Sequence, residues 1–110
     1  MSDMTRYSEY QDATYAVAAD IDDCGAIDMH LFAGGHIYVL STDIDELIPY
    51  VAYQEEGTYY RLYNEDRTDP KVPNLGVLCA VPMPEACWGA RWLKFMCSGS
   101  GGNIRITPKS

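Results

Sequence analysis

Apolar and polar residues alternate along much of this 110-residue chain, which is the pattern of strands with one buried side. The clearest example is the segment 92–97, in which the one polar residue, Lys94, lies between Leu93 and Phe95, and 104–106 repeats the pattern around Arg105. A Ser/Gly segment, 98–102, separates the two. We therefore predict two strands joined by a turn as a hairpin at the end of the chain. The side of the first strand predicted to face the core carries Leu93, Phe95 and Cys97, and the other side carries Trp92, Lys94 and Met96.

Shorter runs with the same alternation recur upstream and are separated by turn residues. The predicted strands lie at 13–21, 27–31, 37–40, 50–54, 58–63 and 71–81, the last centred on 77–80. The alanines of 13–21 also fit a short helix. Glu55-Glu56-Gly57 separates the segments 50–54 and 58–63. We therefore predict that these two strands form a hairpin whose loop has Gly57 at positive φ. The segment 42–48 does not follow the strand pattern. It begins with a candidate helix N-cap followed by acidic residues, so we predict one helical turn that ends at Pro49.

About eight short strands at this spacing are typical of a sandwich or barrel. We predict an all-β fold, a single antiparallel β-sandwich formed by residues 13–110. Residues 1–12 are polar and aperiodic, and we expect them to form an N-terminal arm.

Composition narrows the classes of function. The net charge is −8 and the eight basic residues are scattered, so we expect no nucleic-acid partner, since phosphate binding needs clustered Lys and Arg. No apolar run reaches the roughly 18 to 20 residues of a membrane helix, and the N-terminus lacks a signal-peptide pattern. We therefore expect neither a membrane partner nor export by that route. The acidity is expected to keep a β-rich surface soluble.

The residue types that carry catalysis or bind metals are present without a recognisable spacing. Four cysteines at positions 24, 79, 87 and 97 match no zinc motif, and without a signal peptide reduced thiols are expected. His30 and His36 alone make a poor metal site. The aspartates at 20, 22, 23 and 28 lack the spacing of a calcium loop and predict a solvated acidic turn. No nucleophile elbow, phosphate loop or dinucleotide fingerprint occurs, so we predict no enzyme, no cofactor and no metal.

Aromatic residues are the better candidates for function. If the aliphatic sides of the strands face inward, Tyr59, Tyr63 and Trp92 face outward, where such side chains contact proteins or stack on sugar rings. Tyr7 and Tyr10 add two interface candidates on the arm.

Four passages carry a resemblance to known proteins, and together they cover about residues 26–109. They are Ala26-Ile27-Asp28-Met29; Tyr38-Val39-Leu40 leading to Ile48-Pro49; the hairpin 53–63; and Ala90-Arg91-Trp92-Leu93-Lys94-Phe95 with Ser98-Gly99. In these passages the chain resembles small β-sandwich virion proteins of tailed bacteriophages and prophages. It departs from their pattern at Glu55-Glu56-Gly57, where the family has Ser-x-Asp-Gly. The same hairpin and the strand at 90–95 are similar to discoidin-type jelly rolls, which often bind carbohydrate.

The resemblance implies a jelly-roll-like sandwich and a place in the virion, assembled in the host cytoplasm. The function expected is that of a non-enzymatic capsid decoration or cement protein, which binds the capsid, other virion proteins or copies of itself as a homo-oligomer. The alternative is a carbohydrate-binding module in adhesion to the host surface, in a tail or fibre, with a glycan as partner.

Overall fold

The structure, a computed structural model, describes residues 13–29, 34–73 and 75–108. In this part of the chain two antiparallel sheets of four strands pack against each other around one core. The strands are β1 (Ala13–Val17), β2 (Ile27–Asp28), β3 (Gly35–Val39), β4 (Ile44–Ala52), β5 (Tyr60–Arg61), β6 (Cys79–Pro82), β7 (Trp92–Gly99) and β8 (Gly102–Pro108). Two 3-10 turns, Ile21–Asp23 and Glu85–Cys87, lie in the connections. The predicted all-β sandwich of about eight strands is confirmed.

The strand order is that of a jelly roll. The first sheet has the order β1-β8-β3-β6 and the second sheet β2-β7-β4-β5. The first strand pairs with the last, the second with the seventh, the third with the sixth and the fourth with the fifth. This is an antiparallel ribbon that folds over to make two sheets, as in a double-sheet jelly roll.

The core lies between the two sheets and takes every second residue from the long strands. Burial alternates residue by residue along β7 up to Ser98, and Ile104 and Ile106 of β8 are buried from the opposite sheet. Both predicted sides of β7 are therefore confirmed. Burying a side chain such as Phe95 contributes about 1.5 to 3 kcal/mol of stability, and this is the main term that holds the sheets together.

The helical turn predicted for 42–48 is wrong, because this segment enters the longest strand. β4 spans nine residues, from Ile44 to Ala52. The polar residues before it form a tight turn, in which the backbone N–H of Asp43 donates to Ser41 Oγ at 3.1 Å. The residues that suggested a helix cap therefore close a turn between strands instead.

A β-bulge explains why the pattern of β4 looked helical. The register with β7 shifts between Ile44 and Glu46, so the buried residues Ile44 and Leu47 are three positions apart, as on a helix face. Pro49 continues the strand instead of ending it. Its carbonyl accepts from Leu62 N–H at 3.1 Å, so its backbone points toward the β5 side and its missing N–H removes no hydrogen bond to β7.

The predicted terminal hairpin is also wrong, although both of its strands exist. β7 lies in the second sheet and β8 in the first, so the Ser/Gly turn crosses from one layer to the other. Gly99 and Gly101 have φ of 108° and 93°. A Cβ on Gly99 would overlap the carbonyl of Asp43, and one on Gly101 would overlap that of Val17. The glycines are thus needed for close backbone contact at the crossing.

The strand predicted at 71–81 is shorter and shifted. β6 begins only at Cys79, and Val72 makes an isolated bridge to β4. Val77 and Leu78, placed at the centre of the predicted strand, are 57% and 69% exposed. An apolar run alone did not distinguish a buried strand from an exposed bend.

The hairpin predicted from 50–54 and 58–63 is confirmed as β4 and β5, which pair only at Tyr50–Arg61 and Val51–Tyr60. Gly57 does not take the positive φ expected of it; its N–H donates to Gln54 O at 3.1 Å in an ordinary turn. The first three strands are also shorter or shifted relative to the prediction. The predicted arm, 1–12, and the part of the predicted second strand beyond residue 29 lie outside the described residues.

Candidate functional site

The three aromatic candidates of the described chain lie on one side of the molecule. Trp92 and Lys94 alternate with core residues of β7 and so face outward from the second sheet. Lys94 lies opposite Tyr50 of β4, and Tyr50 lies opposite Arg61 of β5. The register therefore places a row of aromatic and cationic side chains across the strands. The aromatic–cation face, as we call it, comprises Tyr50, Tyr59, Arg61, Tyr63, Arg91, Trp92 and Lys94.

Each of these three aromatic residues has a cationic side chain against its ring. Lys94 Nζ lies 4.6 Å from the centroid of Tyr59, and the Arg91 guanidinium lies 4.7 Å from Trp92. The Arg61 guanidinium lies 5.7 Å from Tyr63. Contacts of this length are attractive by about 0.5 to 1 kcal/mol at exposed sites. They hold the rings and the cations in defined positions.

Ion pairs neutralise most of the positive charge of this side. Arg91 pairs with Asp28 and Arg61 with Asp69, each at 2.5 Å. At the other end of β4, Lys71 Nζ lies 3.0 Å from Glu46. The bonds that Lys71 and Ser98 donate lower the pKa of Glu46 below its ordinary value. The face therefore combines aromatic surface with two paired arginines and with Lys94, whose Nζ donates to Ile21 O at 3.4 Å.

Two shallow depressions border the face, and each contains a candidate tyrosine. The larger, of about 670 Å³, is lined by Tyr63, Asn64, Glu65, Asp66, Glu85 and Ala86. The other, of about 490 Å³, lies beside Tyr59 and Lys94 and is lined further by Asp22, Glu55 and Glu56. The Tyr59 hydroxyl donates to Glu55 O at 2.7 Å, and burial, followed by the nearby Glu55 charge, raises the pKa of Tyr59. Its ring is therefore held in place at the edge of this depression.

No known protein family, curated protein or solved structure matches this chain. The function must therefore be inferred from the geometry of the site and from the fold.

The four cysteines are free thiols, and three of them are buried. Cys24, Cys87 and Cys97 are buried, and burial raises the pKa of each, that of Cys87 to about 12. The thiol of Cys24 donates to Asp20 O at 3.4 Å. A nucleophilic cysteine needs the opposite shift, toward the thiolate. These three cysteines act as packing residues.

The acidic turn singled out in the sequence has a structural role. Asp20 caps the 3-10 turn Ile21–Asp23, and its carboxylate accepts from Asp22 N–H at 3.0 Å. Asp28 lies apart from this turn, paired with Arg91. Among the residues that the structure describes, no group of three or more His, Cys, Asp or Glu side chains is arranged to hold a metal ion. His30 falls outside those residues, and His36 is exposed on the first sheet.

The structure brings together Tyr59, Tyr63 and Trp92, which were predicted separately to face outward. It also shows their partners, which the sequence analysis did not single out: Tyr50, Arg61, Arg91 and Lys94. Strand alternation already placed Arg61 beside Tyr59 and Tyr63, and Lys94 beside Trp92, but the position of Tyr50 between them depends on the register. Tyr7 and Tyr10 lie outside the described residues. No helix in the described ranges is long and apolar enough to cross a membrane.

Proposed function

We propose that this chain is a non-enzymatic structural protein of a tailed-phage or prophage virion, a decoration protein that binds the capsid through its aromatic–cation face. The observation that carries the proposal is the gathering of Trp92, Tyr59, Tyr63 and two arginines on one side of the second sheet. Trp, Tyr and Arg are the residues enriched where protein interfaces bind most strongly.

The fold supports the proposal by analogy. Double-sheet jelly rolls include viral capsid and lectin domains, and the strand order of this chain is theirs. A fold hosts many functions, so this support is weaker than that of the face itself. The resemblance of the hairpin 53–63 and of β7 to phage virion proteins points the same way.

The physical basis of attachment would be burial of the aromatic rings with their cations already positioned. Side chains that are ordered before binding lose less conformational entropy when the contact forms. Many identical contacts of modest strength on one particle add through avidity.

Two tyrosines of nearly equal exposure provide a matched test. Tyr63, 51% exposed, lies beside Arg61, whereas Tyr60, 54% exposed, lies opposite Val51 on the other side of β5. We expect Tyr63→Ala and Trp92→Ala to weaken binding to purified capsids by about tenfold or more, and Tyr60→Ala to leave it unchanged. Co-sedimentation with particles measures this, and equal binding by all variants would contradict a role for the face.

The copy number in purified particles tests the place in the virion. Mass spectrometry is expected to find the chain in a constant, high ratio to the major capsid protein. A few copies per particle would instead indicate the portal, tail or fibre, and absence from particles would overturn the virion proposal.

A second candidate function is carbohydrate binding in adhesion to the host surface. It is favoured by the two depressions, each of which combines a tyrosine ring with carboxylates that accept hydrogen bonds from sugar hydroxyls. Tyr63→Ala, together with Tyr59→Ala, separates the two functions. Glycan-array binding that is lost with Tyr63→Ala or Tyr59→Ala, in a protein that does not bind capsids, would establish carbohydrate binding instead.

A further inference from the structure

The arginines of the aromatic–cation face are paired with carboxylates, whereas the glutamates at its two edges are not paired with cations. Arg61 and Arg91 each pair with an aspartate and lie against a ring. The two depressions that border the face are lined by four glutamates that take part in no ion pair within the described chain: Glu55, Glu56, Glu65 and Glu85. We propose that the face binds a basic protein surface, whose Lys or Arg side chains enter the two depressions. This partner is the capsid surface of the proposed function, on which the inference therefore rests.

The depression beside Tyr63 favours a cation. Apart from Tyr63, the ionisable side chains that line it are all carboxylates. Asp66 is engaged within its own loop, because the bonds that it accepts from the hydroxyl and the N–H of Thr68 lower its pKa. Glu65 and Glu85 are exposed and belong to different connections between strands. An ammonium or guanidinium group between them would contact the tyrosine ring and form charge-assisted hydrogen bonds to the carboxylates.

The depression beside Tyr59 is also acidic, although a cation lines it. Lys94 is engaged within the protein, since its Nζ donates to Ile21 O at 3.4 Å and lies 4.6 Å from the centroid of the Tyr59 ring. Three carboxylates surround this one ammonium group: Asp22, Glu55 and Glu56. The depression therefore keeps an excess of negative charge.

Charge complementarity selects a basic protein surface over other partners. An acidic partner would meet like charge at both edges of the face, which costs free energy. Arg67 follows Tyr63 in the chain but does not line the larger depression, so it does not offset the glutamates there. Sugar hydroxyls would donate to these carboxylates without compensating their charge, whereas Lys and Arg side chains do both. The net charge of −8 attracts such a partner from a distance as well.

The segment 59–63 sets the spacing of the cationic groups on the partner. Tyr59 borders one depression and Tyr63 the other, with Arg61 between them. At about 3.3 Å per residue, this segment spans roughly 13 Å. We therefore expect two basic side chains at about this separation, on either side of an apolar patch that covers the rings. The rings then supply most of the affinity, and the charges at the edges supply orientation and a fast encounter.

Co-sedimentation of the full-length chain with purified capsids, at NaCl from about 50 mM to about 500 mM, tests the partner's charge. The affinity of the wild-type chain is expected to fall by about tenfold or more over this range, because salt screens the attraction at the edges. Glu65→Gln/Glu85→Gln is expected to bind about tenfold more weakly at low salt and to lose less affinity as salt rises. Glu55→Gln/Glu56→Gln should do the same for the other depression.

The matched control is Asp43→Asn/Asp45→Asn, which removes two charges from exposed residues at the start of β4. β5 pairs with the other end of that strand, so we expect this variant to bind nearly as the wild type does. An equal loss in the control would overturn the inference, since net charge rather than the depressions would then be the cause.

The remaining outcomes separate the inference from the proposed function. Capsid binding that does not change with salt, or that both glutamate variants retain in full, would overturn the basic partner and leave the decoration role standing. A wild-type chain that binds capsids at no salt concentration would overturn both.

Discussion

At the scale of the residue, burial rather than charge governs the thiols of this molecule. Cys87 is fully buried at the end of a 3-10 turn, and loss of water around the thiol raises its pKa from 9.0 to about 12. Burial raises the pKa of Cys24 and Cys97 as well. A thiolate would be unstable at all three positions, so each cysteine behaves as a small apolar residue.

The shift at Cys87 makes stability depend on pH at the alkaline end. The folded chain keeps the proton up to about pH 12, whereas the unfolded chain releases it near pH 9, so the stabilisation is complete below pH 9 and is lost as pH rises through this window. We expect the free energy of unfolding to fall by about 1.4 kcal/mol per pH unit for this group. Urea titrations from pH 8 to 11 measure the slope.

Cys87→Ala provides the comparison. Its free energy of unfolding is expected to be lower at neutral pH, because a small cavity replaces the sulfur, but to fall less steeply with pH. A residual slope from Cys24 and Cys97 is expected. An unchanged slope in Cys87→Ala would show that this thiol is not the group that titrates.

At the scale of the element, β4 shows how the one extra residue of a β-bulge hides the alternation by which a strand is predicted from sequence. The bulge at its start puts Ile44 and Leu47 on the core side with helix-like spacing, after which Ile48 and Pro49 resume the alternation of a strand. β4 is central in the second sheet and pairs with β7 along nearly its whole length. The position of the aromatic–cation face depends on this pairing, since it sets Tyr50 opposite Lys94.

Two neighbouring residues of β4 test its register. Leu47 is fully buried, and Leu47→Ala is expected to cost about 2 to 5 kcal/mol. Ile48 is half-buried on the outer side opposite Met96, and Ile48→Ala is expected to cost about 1 kcal/mol. Denaturant unfolding of both variants gives the two values. Equal losses, or a larger loss for Ile48→Ala, would mean that the strand is shifted by one residue.

The structural features that could be predicted from the sequence are those that depend only on residues adjacent in the chain. The two sides of β7, the inward isoleucines of β8 and the outward aromatics follow from alternation alone. The sequence did not predict that β7 and β8 belong to different sheets, because two alternating strands around a Gly-rich turn look the same in either case. The exposure of Leu78 was missed for a related reason: a strand's partner decides its burial, and the partner is distant in the chain.

At the scale of the whole molecule, the two sheets present different surfaces to solvent. The second sheet carries aromatic rings, cations and their paired carboxylates, while the strands of the first sheet carry no carboxylate at all. Because the sheets pack core to core, these two surfaces point in opposite directions.

The pairing of distant strands also determines how the chain folds. β1 pairs with β8, so the first sheet cannot form until both ends of the domain have come together. We expect refolding on the millisecond-to-second timescale typical of β-sandwiches. Stopped-flow fluorescence of the two tryptophans measures it. Refolding in microseconds would contradict the long-range pairing of the strands.

The adjacency of β1 and β8 has a consequence for the engineering of this protein. Ala13 lies opposite Ile106, so the chain enters and leaves the sandwich at the same end, on neighbouring strands of the first sheet. A protein fused before β1 and a protein fused after β8 would lie side by side. A short linker between these two positions would close the backbone into a ring, and new termini could then be opened in the exposed connection between β4 and β5.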